Sequence, residues 1–266
     1  MKKETVKKFI DQLQSHGRYS FEKQELLKNL DISVDGIRVA LSRLSKIGRI
    51  AMICHGFYII IPLEYRESEI LPPVWFIDHL MKFIRLPYYV GLLSAASLQG
   101  ASHQQPQEFQ VVTTKQVRPV RVKGLTIKFI MKKDIPGQSE LKQLKTETGY
   151  IWVSGPELTA IDLLSYVKRS GGMNHTATVL AELGETISPS RLASIAKKQA
   201  NLAVIQRLGY ILDYVGWSNK TAKLAPLIHQ QKSPKTLLEP GKAKGNAEFN
   251  EKWSIFVNRE IEIDEL

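Results

Sequence analysis

"IRVALSRLSKIGRIAMICHGFYII", residues 37–60, decides how this chain is read. On a helical wheel of about 100° per residue, Ile37, Ala40, Leu41, Leu44 and Ile47 share one arc. Asp35, Arg38, Val39, Ser42, Arg43 and Lys46 occupy the opposite arc. The spacing predicts an amphipathic helix that starts behind Ser33, an N-cap type of residue, and stops at Gly48. β-Formers then flank His55-Gly56, a pair suited to a tight hairpin turn.

Upstream, Val6, Phe9, Ile10 and Leu13 recur at helical spacing between Glu4 and His16, and Gly17 supplies a stop. Ser20 reads as the N-cap of a second helix, FEKQELLKNL, broken at Asn29-Leu30-Asp31. Three helices and a hairpin in this order predict a winged helix-turn-helix over residues 1–62. Its third helix would turn the polar arc to a DNA major groove. Arg38 and Arg43 suit guanine edges, Ser42 suits several bases, and Val39 suits a thymine methyl. Gly36 would let the helix start approach the duplex closely. Ser20 and Lys23, with the open amides of the second helix, suit phosphates. Arg49 and His55 would sit on the hairpin, within reach of the backbone or a minor groove. The plainer alternative is that these charges are only the solvated side of a helix, in a module that binds protein.

Downstream, residues 63–73 read as a linker ending in Leu71-Pro72-Pro73. Residues 74–266 read as a larger α+β domain. VWFIDHLMKFIR and PYYVGLLSAASLQG suggest helices separated by Pro87. EFQVVTT, PVRVKG, LTIKFIMKK and TGYIWVSG suggest strands. PELTAIDLLSYVKRS, MNHTATVLAELG, SPSRLASIAKKQ and NLAVIQRLGYILDYVG suggest a helical C-terminal part. The stretch PGKAKGNAEFN and the acidic tail after it are the candidates for mobile segments.

Charge is uneven. The chain carries +11 overall, with +5 in residues 1–60 (11 Lys+Arg against 6 Asp+Glu) and +7 in residues 115–145 (9 against 2). Such blocks favour polyanionic partners. Arg118, Arg121 and Lys123 form the core of the second block, with Arg121 and Lys123 on one face if the strand alternates. They read either as a phosphate- or toxin-facing patch or as lysine protection of a sheet edge. The single cysteine, Cys54, excludes an internal disulfide and a multi-thiolate metal site. The six histidines lack metal-ligand spacing, and no phosphate-cradling or nucleophile motif occurs. Asp134 with Glu140-Leu141-Lys142 superficially matches a metal-dependent nuclease, but Pro136-Gly137 between the acids makes the stretch read as a polar loop. The expectation is a cytoplasmic, non-enzymatic protein without catalytic residues, metal, cofactor or membrane contact. Trp75, Trp152 and Tyr88-Tyr89 read as core or interface aromatics.

Three stretches together resemble the AbiEi family of antitoxins from type IV toxin–antitoxin and phage-defence loci. They are the helix end LSRLSKIGRI with Gly56-Phe57-Tyr58, YYVGLLSAASLQG at 88–100, and VSGPELTAIDLL at 153–164. Gln99 stands where the family carries a histidine before the glycine. The resemblance spans about residues 4 to 217 and implies a repressor-antitoxin. Such a protein binds repeats in its own promoter and counteracts a nucleotidyltransferase-like toxin, with or without a stable complex.

Overall fold

The computed structural model describes residues 5–67, 71–101, 107–230 and 234–263. Glu4, His103, residues 68–70 of the expected linker and residues 264–266 of the tail lie outside the described residues. The fold is mixed α+β, with 11 α-helices and three sheets among those residues. Two compact units form. Residues 1–89, 107–135 and 143–152 make the first, and residues 90–106, 136–142 and 153–266 the second.

In the first unit, α1 (Val6–Ser15) is capped by Thr5, whose hydroxyl accepts from the Lys8 amide at 3.2 Å. Ser20–Glu22 forms strand β1, not the helix start expected at Ser20. The reason is Phe21, which is fully buried while β1 pairs antiparallel with the second hairpin strand. Helix α2 (Lys23–Asn29) therefore starts later, through a reciprocal capping box between Glu22 and Glu25. Helix α3 (Val34–Lys46) is capped by Ser33 as expected. Strands β2 (Ile50–Cys54) and β3 (Phe57–Ile60) make the expected hairpin, and Gly56 takes φ +86° at its turn. The sheet runs β1-β3-β2. Val6, Ile10, Phe21, Leu26, Ile37, Leu41, Leu44, Ile50 and Ile60 pack into one core beneath it. Ile47, assigned to the apolar arc, is instead exposed, because the helix ends there and Gly48 turns the chain away at φ +67°.

Helix α4 (Ile77–Phe83) follows, then Tyr88–Val90, which was expected to be helical and is strand β4. Pro87 bars a continuing helix, and the aromatic and β-branched YYV run suits a fully buried strand. Helix α5 (Leu92–Leu98) takes over from there. Strands β5 (Phe109–Thr113), β6 (Val120–Val122), β7 (Leu125–Met131), β8 (Leu141–Thr146) and β9 (Gly149–Ser154) complete a sheet ordered β6-β7-β5-β4-β9-β8. β8 was not expected as a strand; it begins at the end of the expected polar loop, where residues 132–140 carry no strand. As a half-exposed edge strand it tolerates Lys142 and Lys145, so its alternation is weak.

In the second unit, α6 (Pro156–Ser165) is buried along its length from Pro156 to Leu164. Helices α7 (Met173–Leu183), α8 (Pro189–Gln199) and α9 (Leu202–Tyr214) pack around it. Short helices α10 (Ser218–Thr221) and α11 (Ala225–Gln230) lead to a small sheet of β10 (Thr236–Leu237), β11 (Glu248–Asn250) and β12 (Ile255–Val257). The expected mobile region thus contributes structure: Trp253 and Ile255 are fully buried. Trp253 lies so close to Gly209 of α9 that a Cβ there would overlap its ring. Its indole N–H donates to Asp213 at 2.8 Å, which also accepts from Thr221 at 2.7 Å and from Lys252 at 2.5 Å. Burial alone would raise the Asp213 carboxyl. The bonds from Lys252, Thr221 and Trp253, with the Lys252 charge, outweigh it and hold the group below its ordinary value.

Two predictions follow from this anchor. Gly209→Ala should lower the urea unfolding midpoint, at the upper end of the roughly 1–3 kcal/mol that overpacking costs. A carboxyl depressed in the folded state stabilises above its unfolded pKa, and the gain is lost as pH falls through the folded one. The stability advantage over Asp213→Asn should therefore shrink below about pH 4. Acid-dependent unfolding midpoints of the two proteins check this; a constant difference contradicts it.

Candidate nucleic-acid interface

Helix α3 divides its side chains as the wheel requires. Ile37, Leu41 and Leu44 are buried, while Asp35, Arg38, Val39, Ser42, Arg43 and Lys46 are exposed. Arg38 pairs with Asp35 at 3.2 Å, but both side chains are more than 70% exposed (75% and 82%), so the pair leaves the guanidinium accessible. Between α3 and the hairpin lies a groove of about 270 Å³, lined by Lys23, Arg38, Ser42, Ser45, Met52 and Tyr58. Met52 and Tyr58 were not anticipated there. The outward half of the hairpin alternation carried the signal for Met52, which is half exposed.

Several other candidates are committed elsewhere. Ser20 is 3% exposed, and its hydroxyl lies 2.7 Å from His79 Nδ1, so it is not placed to meet a phosphate. Arg49 donates to Asp11 at 2.8 Å, Gln14 at 2.5 Å and the Ile61 carbonyl at 3.1 Å, with its side chain 11% exposed. It fastens α1 to the hairpin. The amides at the start of α2 are not open either: Lys23 N–H donates to the Gly56 carbonyl at 2.8 Å, and Glu22 N–H to Glu25 at 2.9 Å. The Ser33 hydroxyl accepts from Gly36 N–H at 3.1 Å, as a cap should. Gly36 has a packing reason for lacking a side chain, since a Cβ there would meet Ile32 Cγ2 at 2.8 Å. His55 is exposed in the hairpin turn. Burial pushes the half-buried Cys54 thiol up, away from thiolate chemistry.

Residues 115–135 and 143–145 of the second basic block belong to the first unit, where β6 is an edge strand packed near β2. Arg118 and Arg121 are exposed there. Lys123 is exposed too, but it lies past the strand end in the Lys123-Gly124 turn with φ +46°. Strand alternation therefore does not set its direction, contrary to the expected shared face with Arg121. Of the nuclease-like acids, Asp134 is exposed in the first unit, and Glu140 is buried in the second, 3.5 Å from Lys198. One trio among the described residues, Glu22, Glu25 and His79, is close enough to hold a metal. Glu25 already accepts from Arg18 at 2.5 Å and from the Glu22 amide, which makes the trio an ion-pair and capping network.

Residues 89–214 match the family model of the AbiEi antitoxin C-terminal domain. This part of the chain is similar to an AbiEi antitoxin domain, which supports an antitoxin role. Comparison with curated proteins finds no match. The crystal structure of the RV2827C protein from Mycobacterium tuberculosis has the same fold, with a TM-score of 0.69 at 16% identity. The likeness covers 94% of this chain and 90% of that one. No helix among the described residues is long and apolar enough to cross a membrane.

Gly36→Ala should lower stability by roughly 1 kcal/mol, overpacking outweighing the better helix propensity of alanine. Arg49→Ala should lower it by more, about 1–3 kcal/mol, since Asp11 and the Ile61 carbonyl lose a shared partner. Thermal melts of both variants measure this, and wild-type midpoints would refute it.

Proposed function

We propose that this chain, bearing an AbiEi antitoxin C-terminal domain, is a DNA-binding antitoxin that represses its own operon. Residues 1–62 act as a winged helix-turn-helix on repeats in the promoter, and residues 63–73 connect it to the antitoxin part, 74–266. That part counteracts a nucleotidyltransferase-like toxin. The protein works in the cytoplasm without catalysis or cofactor.

The observation that carries this reading is the exposed face of α3. Arg38, Ser42, Arg43 and Lys46 stand clear of the core beside a groove that Lys23 also lines. Guanidinium forks and a hydroxyl on a helix of 13 residues suit base edges and phosphates in a major groove. The exposed Arg118 and Arg121 in the same unit support a wider phosphate footprint.

A second reading has its own observation. Val34 (58%), Val39 (44%) and Met52 (50%) leave apolar surface open on the same module. This suits a protein partner captured without DNA.

Gel-shift titrations against the chain's own upstream DNA, at two salt concentrations, separate the readings. Repression predicts sequence-preferring, salt-sensitive binding. Arg38→Ala and Arg43→Ala should each cost about 1–3 kcal/mol per base contact, while Lys46→Ala should flatten the salt slope by about one unit. Ser20→Ala should leave operator affinity unchanged. Absence of preference over competitor DNA, with toxin neutralisation intact in all variants, selects the protein-interaction reading.

A further inference from the structure

We propose that the first unit holds a binding pocket for a nucleotide, an aromatic base carrying phosphate, beneath the turn between α1 and β1. A cavity of about 510 Å³ opens there, within the roughly 300–1,000 Å³ range of small-molecule sites. Three separate segments build it: the turn through Arg18 and Tyr19, the stretch from Trp75 through α4 to Lys82, and the β8–β9 hairpin with Tyr150 and Trp152. Its walls are aromatic and its charged groups mostly cationic.

The aromatic side is held in place. Tyr19 packs on Trp75 at 4.8 Å between ring centroids, and Tyr65 meets Trp75 at 5.5 Å. The Thr148 hydroxyl donates to the Trp75 carbonyl at 2.6 Å, which ties the hairpin to the same wall. Tyr150 is 57% exposed on this hairpin, a large ring left open to stack. Base stacking on such rings tolerates any base, because each presents a π-face.

The cationic side is positioned as well. Arg18 is aimed by Glu25 at 2.5 Å and Lys82 by Asp78 at 2.7 Å. Each keeps further N–H donors for a phosphate, since a guanidinium carries five and an ammonium three. Asp78 is the one carboxylate in the lining, and it also accepts from Tyr88 at 3.0 Å. His79 completes the polar floor through its 2.7 Å contact with Ser20. Burial lowers its pKa, so the ring is neutral at pH 7 and can donate or accept a hydrogen bond. Stacking rings opposite fixed cations is a combination that recognises base and phosphate together. The site goes beyond the repressor-antitoxin reading and does not depend on it.

Isothermal titration of the full chain with ATP, GTP, CTP and UTP, and with tripolyphosphate as the base-free probe, tests the pocket. The expected result is saturable binding of at least one nucleotide, with tripolyphosphate clearly weaker. Tyr150→Ala and Lys82→Ala lie at exposed positions and should each weaken nucleotide binding about tenfold with unchanged melting temperature. A short single-stranded RNA, titrated in parallel, identifies the source. Competition with ATP that fails in the same variants assigns the site to a strand-end nucleotide, and lack of competition to the free one. The proposal is overturned if neither nucleotides nor RNA bind at concentrations up to about 1 mM. Equal affinity for tripolyphosphate, or indifference to both substitutions, overturns it as well.

Discussion

The burial of α6 is the constraint on which the second unit depends. A helix packed on all sides must satisfy its polar groups from within the protein, because an unpaired buried group costs about 1–3 kcal/mol. Glu157 does so in part: one carboxylate oxygen accepts from the Ser188 amide at 2.9 Å, which sets the start of α8, and Arg191 stands 3.9 Å from the other. Thr159 donates to the Gly155 carbonyl at 2.9 Å and shares a 2.6 Å contact with Ser154, and Gln99 donates to both segments at 3.0 and 3.1 Å. One buried helix thereby positions the end of β9, the helix α5 and the head of α8. Gln99, where the resembled family carries histidine, still acts here as a half-buried hydrogen-bond donor.

Tight anchoring of that kind contrasts with the polar face of α3. Arg49 and Arg38 are the same residue type in the same basic block, yet one bridges α1 to the hairpin and the other is open. What separates them is the presence of Asp11, Gln14 and the Ile61 carbonyl around the first. Only a fold brings residues 11, 49 and 61 together. Charge that is spent on the protein's own carbonyls and carboxylates is lost to a partner, and charge facing water remains available.

The same distinction explains which elements were legible. Helices α3, α6, α7, α8 and α9 and the 50–60 hairpin follow from periodicity, caps and turn residues, which are local properties. β1 was hidden because three residues carry no period, and only the long-range pairing of Ser20 with Ile59 makes them a strand. β4 was read as helix because an apolar run has no period of its own, and β8 was missed because an edge strand needs few apolar residues. The end of the chain looked mobile from its glycines and charges. Trp253 reaches over Gly209 and Asp213, contacts across some 40 residues of sequence, to fix it.

Sequence by itself determined the amphipathic split of residues 37–60, the caps at Ser33 and Gly48, and the concentration of positive charge in two blocks. These depend on neighbours within a few positions, so no tertiary knowledge is needed. Tertiary structure alone decided that Ser20 and Arg49 serve the protein's interior, that Arg118, Arg121 and Lys123 share a compact unit with the first basic block, and that Arg18, Trp75, Lys82 and Tyr150 surround one cavity. Those outcomes rest on contacts between segments far apart in the chain, and burial, which sets whether a charge or ring is free, exists only once the chain has folded.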